Sequence, residues 1–152
     1  MPLSREEVEA FLTAPRLCHF ATVDPTGRPR VRPLWYLWRD DLFWFTTRLR
    51  ARHTGLDVVA GSAVTISIAS EERPYRAVIA HGVPEVHGKD EGLLRAIAVR
   101  YGEPEGLRWL AHAMTQEDRT VLRMQPRELL SWDYGRGDSS RQEEGASMRT
   151  QL

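Results

Sequence analysis

The sequence predicts a mainly β chain with flanking helices, of the α+β class, whose antiparallel sheet closes toward a barrel. Three observations predict it. Strand-like runs recur from residue 17 to residue 134, most of them with short turn-rich connections between them. Helical stretches fall singly or in one pair, not between most strands as a doubly wound parallel sheet requires. Neither a Gly-x-Gly-x-x-Gly fingerprint nor a Gly-rich phosphate loop with its lysine occurs.

Each element has a local reason. Ser4 starts a helix as its N-cap, with Glu7 at the capping-box position. That helix runs to about Thr13, and Pro15 stops it. Residues 17–23 read as a strand, and Asp24-Pro25-Thr26-Gly27 as a turn. The next strands are the runs 30–38 (RVRPLWYLW) and 42–47 (LFWFTT), joined as a hairpin at Arg39-Asp40-Asp41. Residues 51–59 read as a helix ending near Gly61. Residues 63–69 are β-branched and alternating, hence a strand. A loop over 71–74 leads to a long strand, 75–86, in which Gly82 and Pro84 mark a bulge or bend. Two helices, about 90–101 and 104–114, precede the last strands, 120–125 and 129–134, with a turn at Pro126. Residues 135–152 are polar and aperiodic, so a disordered tail is expected after a domain spanning 1–134.

Bulk properties narrow the function. The 152 residues, 41% of them hydrophobic, suit one domain with a real core. No apolar run reaches the roughly 18 residues of a membrane helix. No secretory signal is visible at the N-terminus, so a cytoplasmic location and no membrane partner are expected. Cys18 is the only cysteine, which excludes an internal disulfide and a zinc-type cysteine cluster. The five histidines lack a ligand spacing, so no metal site is expected. Cys18 lies in an apolar strand and reads as an inert buried thiol. Ser62 and Ser131 lack a nucleophile-elbow context.

Formal net charge is zero, with 21 basic and 21 acidic residues, which argues against a strongly basic nucleic-acid binder. The distribution is uneven. Residues 28–52 hold seven arginines against two aspartates. Lys89 is the sole lysine. A guanidinium binds phosphate through two parallel hydrogen bonds, which an ammonium cannot copy. The expected hairpin brings Arg30 and Arg32, which share one strand face, near Thr46, Thr47, Arg48, Arg50 and Arg52. The last three lead into an expected helix N-terminus, where free amides favour an anion. Basic groups and hydroxyls beside an aromatic sheet suit a ligand with a phosphate and a flat ring. The competing use of Arg30 and Arg32 is surface ion pairing. Trp35, Trp38, Phe43 and Trp44 suit a core or an interface, with Trp35 alternatively facing the ligand ring.

In order, the segments ATVDPTGRPRVRPLWYLW, LFWFTTRLRAR, AVTISIA, RPYRAVIAHGVPEV and SWDYG resemble the pyridoxamine-phosphate-oxidase-like split β-barrel proteins. The resemblance covers roughly residues 3–135. It implies an antiparallel split β-barrel of the FMN-binding type that forms a homodimer, with flavin sites at the dimer interface. In the oxidases the third segment reads Tyr-Thr, three residues, then Ser-Arg-Lys. Phe45 and Thr46 fall on Tyr-Thr, and Arg50, Ala51 and Arg52 fall on Ser-Arg-Lys. Arg52 thus keeps a basic position, Ala51 loses one, and Arg50 adds charge where a hydroxyl is usual. Leu56 coincides with a later leucine of the family helix and supports this register.

The resemblance implies a flavin-dependent oxidoreductase that binds FMN and passes hydride or electrons to an unidentified small molecule. A deazaflavin coenzyme or haem is the alternative cofactor, and a non-catalytic carrier or sensor the alternative role. The implied cofactor set is Arg30, Arg32, Trp35, Thr46, Thr47, Arg48, Arg50 and Arg52. Tyr75 and Arg76 complete it from the partner subunit. Trp132 and Tyr134 pack on the last strand, with a place at the flavin edge as the alternative. The substrate-binding C-terminal residues of the oxidases proper are not found, so pyridoxamine phosphate is not the expected substrate. No side chain stands out as a catalytic acid or base.

Overall fold

The computed structural model describes residues 1–136 and 148–150. Its first helix begins as the sequence dictates. The Glu7 amide donates to Ser4 Oγ at 3.2 Å, and the Ser4 amide donates to the Glu7 carboxylate at 2.8 Å. This capping box opens α1 (Arg5–Thr13), which buries Val8, Phe11 and Leu12. β1 (Cys18–Val23) alternates inward and outward residues. It then turns at Gly27, whose φ of +86° is a left-handed conformation that glycine adopts freely. Asp24 Oδ1 fastens the turn by accepting from the Thr26 and Arg28 amides, each at 2.9 Å.

The run 30–38 proves to be two strands in two sheets. β2 (Pro29–Leu34) pairs with β1, while β3 (Tyr36–Arg39) pairs with β4 (Leu42–Arg48) in the other sheet. The chain changes sheets at Trp35. Asp40 and Asp41, at φ 57° and 59°, make the two-residue turn between β3 and β4. The expected hairpin therefore holds for Tyr36–Arg39 and not for Arg30 or Arg32. Pro29 and Pro33 suit β2, which forms one edge of its sheet.

The helix expected from residue 51 also starts later. α2 spans Gly55–Val59, and a loop fills the space after β4. Close packing sets that boundary: a Cβ on Gly55 would lie 2.0 Å from the Arg48 carbonyl oxygen. β5 (Val64–Ala69) pairs with β6 (Arg76–Gly82). The expected long strand 75–86 divides at its anticipated bend, and β7 (Glu85–Gly88) joins the other sheet. Then come α3 (Glu91–Arg100), α4 (Glu105–Met114), β8 (Arg119–Met124) and β9 (Glu128–Asp133). A single 3-10 turn, Tyr134–Arg136, follows, and β10 (Met148–Thr150) pairs with β9. The remainder of the tail expected to be disordered, 137–147 and 151–152, lies outside the described residues.

Among the described residues the strands form a six-stranded sheet, β10-β9-β6-β5-β1-β2, and a four-stranded sheet, β3-β4-β8-β7. Neighbours run antiparallel, and the two sheets enclose one core: a split β-barrel. Phe20 of the first sheet meets Phe45 of the second edge-to-face, with ring centroids 4.9 Å apart. Ile66, Ile68, Val78, Phe43 and Leu122 are fully buried around them. A second apolar cluster seals α3 and α4 onto the smaller sheet through Leu37, Trp44, Ile97, Leu110 and Val121. Phe43, Trp38 and Trp44 are therefore packing residues. Cys18 is fully buried, and burial pushes its thiol far above the ordinary cysteine range. Among the described residues no helix is long and apolar enough to cross a membrane.

Candidate functional site: a basic loop at one end of the barrel

Thr46 and Thr47 lie near the end of β4, just before Arg48, and point to opposite faces. Thr46 Oγ1 donates to the Thr120 carbonyl at 3.1 Å. Thr47 Oγ1 meets Thr54 Oγ1 at 2.6 Å inside the barrel. Both hydroxyls are engaged within the protein. Beyond them the chain is tied to the start of β8. The Leu49 amide donates to the Asp118 carbonyl at 2.8 Å, and Arg48 Nε donates to Asp118 Oδ1 at 2.8 Å. The second Asp118 oxygen accepts from the Arg50 amide at 3.4 Å. Chiefly through Arg48, these donors hold the Asp118 carboxyl below the usual carboxylate range.

Arg30 ties the same loop to the larger sheet. Its guanidinium donates to the Arg52 carbonyl and, at 2.8 Å, to Asp24 Oδ2. Asp57 Oδ2 lies 3.9 Å from Arg30 Nε and accepts from Thr22 Oγ1 at 2.6 Å. The Thr26 hydroxyl first, and Arg30 next, hold Asp24 far below the usual range. Arg30 and Arg48 are thus matched to carboxylates, which for Arg30 is the ion-pairing use set against ligand binding.

Arg32, Arg50 and Arg52 differ. Among the described residues their guanidinium groups make no hydrogen bond or ion pair. Arg32 stands two residues from Arg30 on one face of β2, about 7 Å along the strand. Arg50 and Arg52 have their backbones pinned by Asp118 and Arg30, with their charged heads free. The site is an anchored loop carrying the cations of Arg50 and Arg52, with that of Arg32 on strand β2. A bound anion with several oxygens fits it, because guanidinium groups take such oxygens in pairs. The helix-terminus argument falls away: α2 has only 5 residues, and Thr54 makes no side-chain cap.

Trp35 is half-buried. Its ring stacks on Tyr101 with centroids 4.6 Å apart, and Trp109 lies 5.3 Å away. Tyr75 and Arg76 are not brought to the loop within one chain. Strand register sets Ala21 against Thr65 and Thr65 against His81, whereas Arg76 sits opposite Asp133 at the far end of β6. Arg76 Nε donates to Asp133 Oδ2 at 3.0 Å, and Tyr75 is 46% exposed. Trp132 Nε1 is buried with no acceptor among the described residues, and its ring meets Tyr134 edge-on at 5.9 Å.

Sequence reasoning missed Asp24, Asp57 and Asp118 as arginine partners, and missed Arg119. Arg119 Nη1 donates to Thr46 Oγ1 at 3.4 Å. The local charge excess was the available signal, but the pairing partners are distant in sequence.

Three solved structures share the architecture. The conserved hypothetical protein Rv2991 from Mycobacterium tuberculosis is 21% identical with a TM-score of 0.71, over 91% of this chain and 92% of that one. HutZ, the heme storage protein from Vibrio cholerae, is 21% identical with a TM-score of 0.65, over 85% and 94%. An F420 reductase is 23% identical with a TM-score of 0.60, over 80% and 94%. At these identities the likeness is one of fold. No curated protein matches the chain. The family match is broader in sequence: residues 4–133, from the α1 cap to the end of β9, fit one family description throughout. The chain belongs to the pyridoxamine 5'-phosphate oxidase family.

Proposed function

We propose that this chain is a flavin-dependent oxidoreductase that holds FMN by its phosphate at the basic loop and acts as a homodimer. The observation that carries this is the set of guanidinium groups on Arg32, Arg50 and Arg52 that make no hydrogen bond or ion pair among the described residues, the last two borne on backbone that Asp118 and Arg30 hold in place. Those three side chains would grip the phosphate. Arg30 and Arg48 would fix the loop. Trp132 Nε1, with no acceptor among the described residues, would find one on the flavin or on the second copy.

In a homodimer, Tyr75 and Arg76 of the second copy would complete the site. Tyr75 and Arg76 lie at the opposite end of the sheet from Arg30, so only a second copy would carry them to the same cofactor. Val23 and Val31, 45% and 62% exposed, stand on the outer sheet face that such a copy would cover. Bound FMN would supply the hydride or electron transfer. The chain's own residues would bind the phosphate, orient the ring and shield it from water. A small-molecule redox partner would complete the reaction.

The likeness to an F420 reductase favours a deazaflavin coenzyme as the alternative, and the likeness to a heme storage protein favours haem or a carrier role. Titration of the cofactor-free protein with FMN, the deazaflavin coenzyme and haem, read by fluorescence and thermal shift, separates them. Saturable binding of FMN is expected. Binding of neither flavin would overturn the proposal. Turnover with a nicotinamide donor then separates an enzyme from a carrier.

A further inference from the structure

Arg119 opens β8 directly opposite Arg48 of β4. Like charges placed across a strand pair repel. The neighbouring carboxylate, Asp118, is occupied by Arg48 Nε and the Arg50 amide. Arg119 leans instead on neutral acceptors. Its Nε donates to Gln116 Oε1 at 2.9 Å, and its Nη1 to Thr46 Oγ1 at 3.4 Å. The side chain is half-buried. Burial first, and Arg48 second, weaken its hold on the proton. A partly desolvated cation with no carboxylate of its own is unfavourable until an anion reaches it.

The surroundings say what kind of anion. The guanidinium lies 5.6 Å from the centre of the Trp109 ring. Trp109 adjoins Trp35, which lies flat on Tyr101. All three rings are half-buried. A strip of aromatic faces thus ends at a cation. It lies on the helix-covered face of the smaller sheet, shared with Trp44 and Val121. Arg32 belongs to β2, in the other sheet.

We propose that Arg119, with Arg48 and the Trp109–Trp35 strip, forms a second anion site that takes a flat organic carboxylate. This names a substrate class for the proposed flavin reaction, and only that role rests on the flavin proposal. The carboxylate meets Arg119, and the flat body lies along Trp109. The phosphate-gripping arginines take no part.

Isothermal titration of the full chain, without cofactor, tests this with 2-naphthoate and the uncharged 2-naphthamide. The acid is expected to bind saturably and at least about ten-fold more tightly than the amide, the scale of a charge-assisted hydrogen bond. Arg119→Gln is expected to abolish that preference, Arg119→Lys to weaken it, and Trp109→Leu to weaken both ligands. FMN affinity is expected to stay unchanged in Arg119→Gln. Equal affinity for acid and amide, wild-type behaviour of Arg119→Gln, or no saturable binding below about 10 mM would each overturn the site. Should Arg119→Gln fail to fold, the acid–amide comparison in the wild type and Arg119→Lys decide. Absence of FMN binding beside intact naphthoate binding would sink the cofactor proposal and leave this site standing.

Discussion

The guanidinium of Arg30, on the edge strand β2, donates to the backbone carbonyl of Arg52 in the loop that follows β4. The same group reaches Asp24 in the turn after β1 and Asp57 in α2. One side chain therefore fastens three separate segments. Replacing Arg30 with methionine leaves Asp24 and Asp57 without their cation and frees the Arg52 carbonyl. Arg30→Met is expected to melt earlier and to bind FMN on the order of ten-fold more weakly, the scale of one charge-assisted hydrogen bond. Arg30→Lys should recover only part of this, because an ammonium cannot bridge three acceptors in one plane. Paired thermal melts and FMN titrations check both effects.

Arg32 and Arg52 should behave in the opposite way. Their heads make no hydrogen bond or ion pair among the described residues, so alanine at either position should change stability by less than about 0.5 kcal/mol. FMN affinity should fall by roughly ten- to hundred-fold for each, as expected for a lost hydrogen bond between charged groups worth about 1.5–3 kcal/mol. Denaturant melts of the cofactor-free variants, beside FMN titrations, separate this pattern from that of Arg30.

Gly55 tests whether the loop conformation matters. A Cβ there would lie 2.0 Å from the Arg48 carbonyl oxygen and 2.6 Å from that of Leu49. Both are backbone atoms and cannot swing aside. Gly55→Ala should destabilise the fold by roughly 1–3 kcal/mol. It should also weaken FMN binding, because the arginine-bearing loop must shift. Equilibrium unfolding and a titration on the same sample measure the two.

Acid should expose the clasp between the ends of the domain. Arg136 donates to a Glu7 oxygen at 3.0 Å, and this pairing is the main cause that lowers the Glu7 carboxyl from its ordinary 4.5 to about 2. The folded value lies below the unfolded one, so the clasp contributes fully above about pH 4.5 and is lost as the pH falls toward 2. Arg136→Gln should flatten the fall in melting temperature across that window. The pair is partly exposed, so the change is expected to be small. Thermal melts of both proteins from neutral pH downward would show it.

Local chemistry was legible in the sequence where it acts locally. Ser4 with Glu7 announced α1, and the Asp24-to-Gly27 turn appeared as its residues demand. Asp40 with Asp41 announced the one hairpin turn that the aromatic run contains. The sheet change at Trp35 was not legible, because alternation continues across it and the partner strand lies elsewhere in the chain. The bend at Gly82 and Pro84 was visible, but not that it carries the chain between sheets. For the same reason the arginine cluster could be seen while its sorting could not. Arg48 meets Asp118, and Arg30 meets Asp57, only after the sheets have formed. Arg119 shows no local mark at all, since its meaning comes from Trp109 and from Arg48 across the strand pair.

The most direct test of the central claim compares FMN with riboflavin, which lacks the phosphate, by isothermal titration against the wild type and an Arg32→Ala/Arg52→Ala double variant. The account predicts that the wild type prefers FMN by at least about a hundred-fold and that the double variant, which keeps Arg50, loses most of that preference. Equal affinity for the two flavins in the wild type, or an undiminished preference in the double variant, would contradict it.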